Sequence, residues 1–423
     1  MEIERIKKST LNHLSMEAGE ILKRVEEDFP DNPESMKYFY DLLRKVYCYR
    51  ERPSDGSITI GTMCLQVPEE LIYASGAVPL RLCSGAYSFE RIGTGPMPAR
   101  SCSLVKATVG MLRLVPDFYR DSLKALIIPT TCDQKKKAGE VIREMGINVY
   151  FLELPSRKDT EDGRAYWYYS VKKLVDVMGE ITGRRLGKKA LFNAIRLLNR
   201  AREEFRRFYQ LRGSVPPPIY GKDAIIVTNA FYFDEIGRWI ESLSRLNKEL
   251  YNRINKKEQV SQRHAPRILL TGSPSIFPNL KIPLLIEETG GVIVADDLCS
   301  STRLLYDPVV IDETASLDIL LGAVADRYLR PCTCPFFIDN TDKKRRLLQM
   351  VRDFVIEGVV YQAFSGCYLF EMESKSVAKA LESEGIPMLY VETDYSPEDT
   401  GQLSTRVEAF LESIKQRRRG LHI

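Results

Sequence analysis

Histidine is nearly missing from this chain, and several familiar functional signatures are missing outright. The 423 residues contain three histidines. His13 and His422 lie near the ends and His264 sits in a polar linker, so a zinc site built on imidazole is not expected. A cysteine–histidine nucleophile pair is not expected for the same reason. No apolar run reaches the roughly 18 residues that a membrane-spanning helix needs. The opening stretch, MEIERIKKSTLNHLSMEAGE, is polar and lacks the apolar centre of a secretory signal, so a cytoplasmic location is expected. The net charge of +4 is small for this length, and no basic face interleaved with aromatics marks a nucleic-acid partner. KQRRRG near the C-terminus reads as a solvated helix end. GRRLGKK at 183–189 has the wrong spacing for a phosphate-cradling Walker loop and lacks its Ser/Thr, and no G-x-G-x-x-G occurs. Nucleotide hydrolysis and dinucleotide binding are therefore not expected here.

Cysteine is abundant, at nine residues. In a reducing compartment disulfides are rare, which leaves buried filler, catalysis or metal ligation. The length suits two domains or more. Residues 1–55 read as an N-terminal helical segment. Residues 56–160 alternate helix and strand signals, with KALIIP at 124–129 and a second apolar run at 147–154 of the buried parallel type. Residues 161–262 read as a helical insert, with a long charged helix over about 162–209, a break at 215–218 and a second helix over about 233–255. Strand signals resume in 263–423 with RILLTG, VIVADD, GVVYQAF and MLYVETD. The expected fold class is α/β: two Rossmann-like parallel-sheet domains related as distant repeats, with a helical N-terminus and a helical insert.

The repeat is read from paired segments. AVPLRLCSG matches GVIVADDLCSS, and KALIIPTTC matches EGVVYQAFSGC, so each half carries a cysteine after an early strand (Cys83, Cys299) and after a later one (Cys132, Cys367). A third comes from between them, Cys102 in the first half, Cys332 and Cys334 in the second. Open α/β sheets build sites at the carboxyl ends of their strands. These cysteines sit in small or polar surroundings, whereas core cysteines usually sit in apolar runs. No C-x₂-C-x₂-C occurs, and PCTCP is the one close pair. Residues alone leave two readings open, a shared metal cluster or scattered structural thiols.

GTMCLQVPEELIYASGAVPLRLCSG, SCSLVKATVG, IIPTTCDQKKK, GVVYQAFSGCYLFEMES and GIPMLYVETDYSPEDTGQLSTRVEAFLE resemble the 2-hydroxyacyl-CoA dehydratase D-component family, which includes benzoyl-CoA reductase-type subunits. The resemblance implies an iron–sulfur cluster, with Cys102, Cys132 and Cys367 as ligands of one [4Fe–4S] cubane. The extra thiols Cys83, Cys299 and Cys332 resemble the double-cubane members of the superfamily, in which six cysteines hold an [8Fe–9S] cluster. Cys64 competes with Cys83; Cys334 and Cys48 are left as spare. Asp133 and Glu371 are the acid–base candidates, with Asp296, Asp297 and Arg303 behind them, and Lys135, Lys136 and Lys137 are candidates to balance cluster charge. The resemblance further implies a separate ATP-hydrolysing, cluster-bearing reductase as electron donor, a small-molecule substrate and a homodimer. Alternatives are a single-cubane dehydratase subunit and a cluster carrier.

Overall fold

The computed structural model describes residues 2–51, 56–115, 123–261 and 264–420. His422 and the expected boundary at 262/263 lie outside the described residues. The chain opens with α1 (Glu2–Glu27) and α2 (Lys37–Arg44), the latter running into a π-helical turn at Lys45–Tyr49. A first α/β unit follows: β1 (Ile58–Thr62), α3 (Glu69–Ala74), β2 (Ala77–Arg81), α4 (Tyr87–Gly93), α5 (Ser103–Leu114), β3 (Leu123–Pro129), α6 (Asp133–Glu144) and β4 (Val149–Leu152). Four helices come next, α7 (Glu161–Thr182), α8 (Lys188–Arg212), α9 (Gly221–Ala230) and α10 (Ile236–Lys256). The second unit begins with β5 (Arg267–Gly272), α11 (Lys281–Glu288), β6 (Val292–Asp297), α12 (Thr302–Leu305) and α13 (Leu317–Leu329). It ends with α14 (Thr341–Asp353), β7 (Gly358–Phe364), α15 (Tyr368–Glu382), β8 (Met388–Thr393) and α16 (Thr400–Gly420). No helix among the described residues is long and apolar enough to cross a membrane.

Each unit forms a four-stranded, wholly parallel sheet, and the two share one topology, β2-β1-β3-β4 and β6-β5-β7-β8. The sequence repeat is therefore structural: β2 corresponds to β6 and β3 to β7. Pro79, which has no N–H to give a neighbour, is tolerated because β2 is an edge strand. β5 and β7 are buried along their whole length, which accounts for their uninterrupted apolar character. In both sheets the connections reverse direction between the two central strands. That switch point is where a parallel sheet opens a crevice at its carboxyl edge.

The helices lock the halves together. One hydrophobic core runs through α1, β3, α8, α9 and β5 to α16, and a second packs the other face of the first sheet against α7, α8 and α13. The Trp167 indole N–H donates to Ala325 O at 2.8 Å, joining α7 to α13. Glu70 of α3 pairs with Arg202 of α8 at 2.7 Å and accepts from the Tyr328 hydroxyl of α13 at 2.8 Å, all three buried. The long helix expected over 162–209 is two, because Gly183 takes a left-handed conformation (φ 68°) that caps α7.

Candidate functional site

Eight of the nine cysteines gather where the carboxyl edges of the two sheets meet. Cys64 follows β1 and Cys83 follows β2; Cys299 follows β6, and Cys332 and Cys334 lie in the loop after α13. Cys102, Cys132 and Cys367 occupy the N-cap positions of α5, α6 and α15. Three helices of 12 to 15 residues turn their positive N-terminal dipole ends toward thiols, and first-turn N–H groups face the sulfurs: Leu104 and Val105 at Cys102, Lys135 at Cys132 and Phe370 at Cys367. Cys48 stands apart, its thiol donating to Ser15 O of α1 at 3.6 Å.

Two loops are held close by backbone and amide contacts. The Cys102 N–H donates to Gln134 Oε1 at 2.7 Å, and Gln134 Nε2 donates to the Gly366 carbonyl at 2.7 Å. Gly366 has φ 79°, and a Cβ there would lie 2.1 Å from Arg100 O, so only glycine permits this approach. The Cys102 and Cys367 thiols interact with each other, and Cys132 interacts with both Cys367 and Cys64. Cys64 also interacts with Cys332 and Cys334, and Gln66 Nε2 donates to the Cys332 sulfur. Cys83 and Cys299 flank Arg81. Cys64 and Cys334 thus join the same group as the expected ligands Cys83, Cys102, Cys132, Cys299, Cys332 and Cys367.

Charge at this edge is arranged for anions. Burial opposes thiolate formation at Cys64, yet Lys135, the Gln66 N–H and Arg81 bring its thiol below the usual range. Cys102 is lowered first by its interaction with the Cys367 thiol, against burial. Burial pushes Cys83 and Cys132 up, and Cys332 up to about 11. Lys135 donates to Thr131 Oγ1 at 3.1 Å, and its pKa is raised because the thiols around it outweigh burial. Arg303 donates to the Thr333 carbonyl at 3.2 Å. Several buried polar atoms here have no partner: Thr62 Oγ1, Gln66 Oε1, Arg81 Nε and Nη2, Ser103 Oγ and Thr333 Oγ1. Buried polar atoms are normally satisfied. Soft thiols from several loops, helix N-termini, cations and free polar atoms fit an anionic iron–sulfur group. Among the described residues, no three Cys, His, Asp or Glu side chains are close enough to grip one metal ion.

The acid–base candidates fall elsewhere. Asp133 is 94% exposed in its side chain and pairs with Lys136 at 3.0 Å; Glu371 is exposed on the first turn of α15. Lys136 and Lys137 are exposed as well, which leaves the half-buried Lys135 as the one of the three that acts on the thiols. Asp296 is buried against Arg212 at 2.7 Å. Burial would raise the Asp297 carboxyl, but Lys343, Arg303 and Arg346 hold it at about 2. A cavity of about 490 Å³ opens between the loop after Cys334 and the helix after Cys367, lined by Pro335, Phe337, Lys343, Tyr368, Met372 and Glu373. Sequence reasoning did not find Arg81, Gln66, Gln134 or Tyr232. The one available signal was that Arg81 sits two residues before Cys83, at the end of β2.

The family model for the 2-hydroxyglutaryl-CoA dehydratase D-component matches residues 64–414. The putative dehydratase subunit YjiM of Escherichia coli K12 is 32% identical over 363 residues, covering 84% of this chain and 91% of that protein. The (R)-2-hydroxyglutaryl-CoA dehydratase subunit beta of Acidaminococcus fermentans is 26% identical over 373 residues, 85% of this chain and 93% of its own. A benzoyl-CoA reductase subunit of Thauera aromatica is 25% identical over 363 residues, with 84% and 90% covered.

Proposed function

The chain belongs to the 2-hydroxyglutaryl-CoA dehydratase D-component family, a family of dehydratase- and reductase-type enzyme components, and on that premise we propose that it is the iron–sulfur component of a low-potential reductase. Cys83, Cys102, Cys132, Cys299, Cys332 and Cys367 would hold an [8Fe–9S] double cubane, with Cys64 and Cys334 as the nearest substitutes. The observation that carries this reading is the gathering of eight thiols from both sheets at one edge, with Arg81, Lys135 and Arg303 set among them. One cubane needs four thiolates at most. When bound, such a group supplies single-electron transfer to a small molecule at low potential.

The protein's own part follows from its geometry. The helix N-termini at Cys102, Cys132 and Cys367 offset thiolate charge, Gln134 fixes the spacing of the first and third of these, and Arg303 with Asp297 and Lys343 braces the second sheet's loops. The 490 Å³ cavity, bounded by the residues after Cys334 and Cys367, would admit the substrate. Asp133 and Glu371, being exposed, suit proton exchange with water at the rim. Electrons would come from a separate ATP-hydrolysing, cluster-bearing reductase, since this sequence has no nucleotide loop of its own; the relatives' names as subunits of larger enzymes agree with a partner component. A homodimer is the assembly proposed.

A specific observation also favours a second reading, a single-cubane dehydratase subunit. Cys102, Cys132 and Cys367 interact as one trio at helix starts and suffice for one cubane with an open iron. Anaerobic reconstitution with iron and sulfide analysis separates the readings. About eight irons per chain are expected; four would sink the double cubane in favour of the second reading, and none would sink both.

A further inference from the structure

Arg81 closes β2 and is 5% exposed. Its Nη1 donates to the Tyr232 hydroxyl at 3.2 Å and to the Cys299 carbonyl at 3.1 Å, so a side chain of the first sheet is pinned to the segment after α9 and to the second sheet. Nε and Nη2 are buried and have no partner. No carboxylate lies within ion-pair distance of Arg81 among the described residues, although Glu69 of α3 is within electrostatic reach. The groups that act on the guanidinium are, in order, Tyr232, Cys83, Cys299 and Cys64. Lys135 differs, because its ammonium is already tied to Thr131. A buried guanidinium with two unused donors is costly unless something else accepts from them.

We propose that Arg81 sets the reduction potential of the group held at these thiols, its two free nitrogens, Nε and Nη2, donating to sulfur between Cys64, Cys83 and Cys299. The proposal rests on the iron–sulfur reading above. Reduction adds one electron and one negative charge to the bound group and moves no proton. A fixed cation in a low-dielectric interior stabilises the reduced form more than the oxidised one, and hydrogen bonds to sulfur act in the same direction. Tyr232 holds the guanidinium in place and is not itself a donor to the group.

The test is a redox titration of reconstituted protein with titanium(III) citrate, followed by electron paramagnetic resonance, with iron content measured on each sample. Arg81→Gln should shift the one-electron equilibrium about tenfold toward the oxidised form, a midpoint lower by about 59 mV. Arg81→Lys, which keeps the charge, should shift it by less than threefold, and Tyr232→Phe by about two- to threefold. Arg81→Gln protein with wild-type iron content and an unmoved midpoint would overturn the proposal, as would Arg81→Lys falling as far as Arg81→Gln. If Arg81→Gln fails to take up iron, an unmoved midpoint in Tyr232→Phe overturns it and the expected shift supports it. Wild-type protein that binds no iron or sulfide would instead remove the reading beneath it.

Discussion

At Gly366 one backbone angle decides whether two thiol loops can touch. A side chain there would face both a left-handed backbone and the Arg100 carbonyl 2.1 Å away. Gly366→Ala should therefore lose about 1–2 kcal/mol from the backbone alone, and more from the displaced Arg100 segment. Urea denaturation of the metal-free protein measures the loss, and iron uptake should drop with it, because the Gln134 bridge between Cys102 and Gly366 would open. A variant as stable as wild type would show that the segment adapts. At this scale the sequence was partly legible. Cys102, Cys132 and Cys367 stood out because small or polar neighbours surround them. Arg81 and Gln134 did not, since nothing local distinguishes a buried arginine from a solvated one, and their partners lie up to 232 residues away.

Among the elements, α9 shows how a buried helix is anchored. Every residue from Gly221 to Ala230 is buried, and the Glu287 carboxylate accepts from the Gly221 and Lys222 N–H groups at 2.7 and 3.0 Å and from Ile293 N–H at 3.1 Å. Burial holds this carboxyl up to about 7 despite those bonds and Lys222. Its folded pKa lies above the ordinary 4.5, so the unfolded chain gives up the proton first and stability falls as pH rises from 4.5 to 7. The fall amounts to roughly 3 kcal/mol. Glu287→Gln should flatten the stability–pH profile across that window in chemical denaturation; an unchanged slope would assign it to other groups. Neither α9 nor β1 was read from the sequence. α9 has no polar face, so its helical period carries no contrast. β1 is five residues with threonine and glycine, ITIGT, too short and mixed to announce a strand, although β3, β5 and β7 were plain from their apolar runs.

Over the whole molecule, the halves are joined by shared cores and by one buried triad. Glu70, Arg202 and Tyr328 come from the first sheet's helix, the insert and the second half, respectively. Removing one partner of a buried pair typically costs 3–5 kcal/mol, because the remaining charge is stranded. Glu70→Ala should lower stability by about that amount, and the transitions seen by Trp167 and Trp239 fluorescence and by far-ultraviolet circular dichroism should move together. Separate transitions would mean that the sheets unfold independently. The two-sheet plan and the pairing of β2 with β6 and β3 with β7 were legible because each match ends in a cysteine. That the two halves would meet face to face was expected from the paired cysteine loops, but the helices that lock them together were not legible, since that packing joins residues far apart in the chain. That meeting also has a consequence for how the protein is made. The last thiol of the first sheet, Cys132, and the last of the second, Cys367, are 235 residues apart in the sequence (367 − 132). At about 5–20 residues per second, translation takes roughly ten to fifty seconds to cover that distance. Until Cys299 follows, Cys64, Cys83, Cys102 and Cys132 have no counterpart from the second sheet, and a ligand that needs both sheets in full can be installed only after Cys367 has been made.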